Sequence, residues 1–173
     1  MSVNDRRGMP SAAAVSAMIS VYALTMLVGL GASTGQAVFA ATLIGPSQVL
    51  SRVLDWRFGR RFNPMVAALT GTVMLPAGLT TLLLGWPYAV FGVLYGFSNG
   101  ILTISRGTLP LHVFGSRGYG GRLGRIALPS MLLSAVAPTL LSPVVEVWPA
   151  WALVVILGGA GVLSLGCLLV LRR

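Results

Sequence analysis

The chain has 173 residues, 55% hydrophobic and only 9% charged, with a mean hydropathy of +0.87 and a net charge of +9. A soluble domain carries about 25% charged residues to face water, so this composition excludes an ordinary soluble fold. All 12 basic residues are arginines set in short gaps between apolar runs, not along one face of a soluble module, which argues against nucleic-acid recognition.

The polar start MSVNDRRG, within residues 1–9, carries Arg6 and Arg7, and the apolar stretch behind it is too long for a signal peptide. Hydropathy over windows of about 19 residues predicts a first span near 10–31, with Ser16, Ser20, Tyr22 and Thr25 as its polar content. The turn GASTGQ (31–36) leads to a second span near 36–52, bent at Gly45–Pro46. A knot of charge follows in SRVLDWRFGRRFNP (51–64), whereas Gly8 to Ser51 holds no charge at all. The third span lies near 63–84 and is closed by GWP (85–87). On the fourth, near 88–105, Gly92, Gly96 and Gly100 recur at every fourth residue, a spacing that lets helices approach closely. That span also carries Tyr95, Ser98, Asn99 and Thr103.

Glycines and arginines then alternate between 107 and 124, read as a flexible loop that includes the single histidine, His112. The fifth span, near 126–144, contains Pro129, Pro138 and Pro143. After EVWP (146–149), the sixth, near 150–171, offers only Ser164 and Cys167 among apolar neighbours and is expected to face lipid. Each run is long enough to cross about 30 Å of hydrocarbon, and helices are required because backbone groups cannot go unpaired in lipid.

Threading six spans brings every arginine to one side. Arg6 and Arg7, then Arg52, Arg57, Arg60 and Arg61, then Arg106, Arg117, Arg122 and Arg125, and finally Arg172 and Arg173 occupy alternate gaps. The other three gaps hold no arginine, and one holds Glu146. Positive loops stay cytoplasmic, so both termini, including residues 172–173, are expected inside.

Within the knot, Asp55 ends a helix whose dipole disfavours an anion there, so Arg57 or a neighbouring helix N-terminus has to compensate it. Gly59 permits a tight turn, and Arg60 and Arg61 stay with the headgroups. The run from Ser51 to Arg61 resembles the loop motif G-x-L-a-D-r-x-G-r-r/k of the major facilitator superfamily, matching at Asp55, Arg57, Gly59, Arg60 and Arg61. Ser51 and Val53 replace the leading Gly and the Leu. YGFSNGILTISRGTLPL (95–111) and GYGGRLGRIALP (118–129) look like the tenth helix and following loop of one bacterial branch.

The resemblance implies helices seven to twelve of a twelve-helix bundle: half of a secondary, alternating-access transporter in a bacterial plasma membrane, or a truncated piece of one. It implies a gating loop made by Arg52, Asp55, Arg57, Gly59, Arg60 and Arg61. The first and fourth spans would line a cavity through Tyr22, Thr25, Tyr95, Ser98, Asn99 and Thr103. The partner would be a second six-helix half, either another copy or separately encoded; the solute is not readable. No carboxylate sits inside a span, no phosphate-binding loop exists, and no clustered His, Cys or acidic residues suggest a cofactor, a metal or an enzyme. The alternative is a non-transporting membrane fragment or scaffold subunit.

Overall fold

The computed structural model describes residues 16, 19–58, 64–114 and 148–171, with parts of 120–139, and among them the chain is helical with no strand. Six helices follow in order. They are α1 (Ile19–Gly29), α2 (Thr34–Phe58), α3 (Pro64–Leu83), α4 (Tyr88–Phe114), α5 (described at 127–129, 131–132 and 134–136) and α6 (Ala150–Leu171). Thr34–Arg57, Met65–Leu83 and Tyr88–Thr108 are long and apolar enough to cross a membrane.

Local chemistry sets the helix ends. α1 stops at Gly31 (φ 94°), where Ala32 N–H donates to the Leu27 carbonyl and Gly31 N–H to that of Val28. α3 stops in the same way at Gly85 (φ 69°), with Trp86 bonded back to Thr81 and Gly85 to Leu82. Both are left-handed caps that satisfy the last carbonyls of a helix. α2 begins with a reciprocal cap: Gln36 N–H donates to Ser33 Oγ (3.3 Å), and Ser33 N–H donates to Gln36 Oε1 (3.0 Å). Pro64 opens α3, where its missing N–H costs nothing.

Two helices overrun their expected ends. α2 continues from 52 to Phe58, and α4 from 105 to Phe114, so His112 belongs to a helix and not to a loop. Arginine lowers hydropathy without breaking a helix, and α2 meets no glycine or proline between Arg52 and Gly59. Helical residues at 120, 121 and 124 likewise interrupt the stretch expected to be a loop.

α4 is the central helix. It runs parallel to α2, with Gly92 against Ala40, Gly96 against Ile44 and Ser47, and Gly100 against Gln48 and Ser51. It runs antiparallel to α3, with Gly71 against Leu102 and Gly78 against Leu94. Gly161 of α6 lies on Leu75 and Pro76 of α3. α1 packs its Ile19, Ala23, Met26 and Leu27 into a core shared with Leu75, Leu79, Leu82, Phe91, Tyr95, Val154 and Leu157.

Contacts at the helix ends orient the bundle. Tyr88 Oη donates to the Leu30 carbonyl (3.2 Å), and a methyl on Gly29 would come within 2.9 Å of Ala150 Cβ. The end of α1 and the starts of α4 and α6 therefore share one end of the molecule. The α1–α2 and α3–α4 connections, both free of arginine, lie there, and Arg52, Arg57 and Arg106 lie toward the other end.

Candidate functional site

The seam between α1 and α4 is made by hydroxyl groups. Tyr95 Oη donates to the Ser16 carbonyl (2.7 Å), and Ser20 Oγ donates to the same carbonyl (2.8 Å). The two hydroxyls lie 2.9 Å apart, so each has a choice of two acceptors. Ser16 Oγ is buried and has no hydrogen-bond partner among the described residues. Tyr95 is held from below by Phe91, the two rings stacked with centroids 5.7 Å apart. A phenolic hydroxyl buried in an apolar bundle must find an acceptor, and the Ser16 carbonyl supplies one.

From Tyr95 a polar column continues along α4. Asn99, Thr103 and Arg106 follow at steps of four, four and three residues, which keeps them on one side of a helix. Burial falls along this column: Tyr95 is buried, Asn99 is half-buried, and Thr103 and Arg106 are exposed. Thr103 Oγ1 is satisfied within the helix by the Asn99 carbonyl (2.6 Å). On α1, Tyr22 is half-buried against the core, whereas Thr25 and Ser20 are exposed.

The six expected cavity residues thus divide. Tyr95 joins the α1 seam, and Asn99 and Thr103 form the column with it. Ser98 turns away, fully buried, and donates to the Gly71 carbonyl of α3 (2.7 Å). Arg106 and the Ser16–Ser20 pair complete the arrangement. Arg106 could have been found from its spacing to Thr103, but the serine pair depends on how α1 is rotated, which the sequence does not carry.

Of the knot, Arg52, Asp55 and Arg57 occupy the last two turns of α2, Asp55 half-buried and the two arginines exposed. Gly59, Arg60 and Arg61 lie outside the described residues. Ser51, which stands where the resembled motif has Gly, is buried with its Oγ bonded to the Gln48 carbonyl (2.8 Å). It abuts Gly100, whose missing side chain provides the room. Gly92 and Gly96 do the same for the Ala40 and Ile44 carbonyls, so the three glycines form the α2–α4 seam. Among the described residues no group of His, Cys, Asp and Glu could hold a metal ion. No protein-family model, curated protein or solved structure matches the chain.

Proposed function

We propose that the chain is a six-helix membrane unit of a secondary, alternating-access transporter, working with a second six-helix half, and that the α1–α4 face lines the solute path. The observation that carries this reading is the polar column Tyr95–Asn99–Thr103–Arg106 beside the Ser16–Ser20 hydroxyls. Elsewhere the outer surface is rich in large apolar side chains, among them Val21, Phe39, Val49, Val155 and Leu163. Such a surface suits lipid, where no water rewards polar groups. Tyr95, Ser20 and Thr103 already bond carbonyls within the bundle, but on the same wall the Asn99 amide would cost about 1–3 kcal/mol, and the Arg106 guanidinium more, if they too faced lipid. Water and solute against that wall, enclosed by a second half, remove the cost.

Resemblance of residues 51–61 to a transporter loop motif supports the same reading, and the arginine-rich end is then the cytoplasmic one. In a Cys167→Ser background, single cysteines at Asn99, Thr103 and Val93 test it with a charged thiol reagent applied to inside-out vesicles. Val93 is exposed and sits off the column, about a third of a turn around α4 from Asn99. Positions 99 and 103 are expected to react about tenfold faster than 93, because a thiol buried in lipid ionises poorly. Equal rates at all three would leave a membrane scaffold that transports nothing.

A further inference from the structure

α2 shows two unlike sides. Ala40, Ile44, Ser47, Gln48 and Ser51 meet α4, while Val38, Thr42, Gly45, Val49, Arg52 and Trp56 recur at steps of three and four on the opposite side with Val53 beside them, all exposed. The stripe has an order. Its lower part is aliphatic, and Thr42 adds no unmet donor because its Oγ1 bonds the Val38 carbonyl (2.9 Å). Its upper end places Arg52 and Trp56 one helical turn apart, Trp56 being the most exposed large hydrophobic side chain among the described residues at 78%.

We infer that this stripe is a binding site for one anionic phospholipid, with the phosphate on Arg52, the glycerol region against Trp56 and an acyl chain along Val53, Val49 and Gly45. This inference rests on the membrane reading above. A guanidinium engages a phosphate by two parallel hydrogen bonds, and an indole prefers the interfacial zone where one edge is wet and the other apolar. Lengths agree: one leaflet is about 15 Å of hydrocarbon, or about ten residues of helix, which reaches from Arg52 to Thr42. Gly45 faces open space, so the chain end meets no side chain there.

Charge selects the occupant. The protein carries +9, and anionic headgroups gather at basic ends of membrane proteins. A second helix is a poorer fit, because helix seams in lipid use small residues, and apart from Thr42 and Gly45 the stripe presents Val, Arg and Trp side chains. Asp55 follows Gln48 and Ser51 at steps of seven and four, on the side of α2 that meets α4, and is half-buried, so a latch through Asp55 and a lipid on Arg52 do not compete for one surface.

The test uses the full chain, purified in detergent and given equal phosphatidylglycerol and phosphatidylcholine, with retained lipids counted by native mass spectrometry. Phosphatidylglycerol is expected to be enriched, and Arg52→Gln should lower the enrichment about fivefold, the factor one basic residue is worth near an anionic lipid. Arg117→Gln, an equal loss of charge elsewhere, should leave it unchanged, and Trp56→Leu should reduce retention of both lipids. Should Arg52→Gln not fold, Arg52→Lys keeps the charge, loses the two-pronged contact and should give an intermediate enrichment. Enrichment insensitive to every Arg52 variant, or equally sensitive to Arg117→Gln, overturns the site. So does disulfide linkage between copies through a cysteine at Val49 in a Cys167→Ser background, which would assign the stripe to a second copy. Slow labelling at Asn99 alongside intact lipid selectivity would count against transport alone, and a chain recovered without detergent would remove both.

Discussion

Tyr95 does more than one task, and its hydroxyl can be separated from its ring. The ring stacks on Phe91 and fills the centre of the core, while the hydroxyl ties α4 to the Ser16 carbonyl and Ser20. Tyr95→Phe keeps the ring. It leaves Ser16 with the Ser20 hydroxyl as its donor, so no buried carbonyl is orphaned. The cost should be about 1 kcal/mol, the usual size of a hydrogen bond between membrane helices. Tyr95→Ala removes the packing as well and should cost about 3–5 kcal/mol. Unfolding in mixed detergent micelles measures both. Equal losses for the two variants would mean that the hydroxyl, and not the ring, holds the seam.

At the scale of helices, the α2–α4 seam is the closest approach in the described structure. A methyl on Gly96 would come within 2.6 Å of the Ile44 carbonyl oxygen and 2.7 Å of Ser47 Cβ. Backbone cannot yield as a side-chain tip can, so Gly96→Ala is expected to cost about 1–3 kcal/mol and to separate α2 from α4. Gly159→Ala is the matched control. Its position on α6 faces open space, and removing a helical glycine there should be neutral or stabilise by about 0.5–1 kcal/mol. A Gly96→Ala protein as stable as the Gly159→Ala protein would mean that the two helices are not locked at this seam.

The every-fourth-residue glycines were visible in the sequence, as were the turns at Gly31 and Gly85. Which helix the glycines face was not, because that depends on α3 crossing back to bring α2 and α4 together in parallel. Arginine misled the reading of length: Arg52 and Arg106 end a hydropathy window, but neither ends its helix. Hydroxyls on the first and fourth spans stood out by residue type. Their division into the α1 seam, the α3 contact of Ser98 and the open column depends on helix rotation, to which type is blind.

Across the molecule, the described arginines and three of the four tryptophans sort to opposite ends. Trp86, Trp148 and Trp151 are exposed at the end where Leu30 meets Tyr88 and Gly29 meets Ala150. Trp56 is exposed at the other end, beside Arg52 and Arg57. Indoles favour both interfaces of a bilayer, whereas arginine favours only the cytoplasmic one. The two ends are separated by the length of α3, whose 20 residues span about 30 Å, close to the hydrocarbon thickness. The end with three tryptophans and, among the described residues, no arginine should therefore face outward. In a Cys167→Ser protein, cysteines at positions 86 and 148 are expected to react with an impermeant reagent added to intact cells. A cysteine at 118, between Arg117 and Arg122, should react only after the membrane is opened. The contacts already require 86 and 148 to share an end, so these two must label together whatever the orientation. Labelling of both only after opening would invert the molecule and set aside the arginine argument. Labelling of 86 and 118 from the same side would mean that α4 does not cross, and with it the six-span arrangement and the proposed solute path would fall.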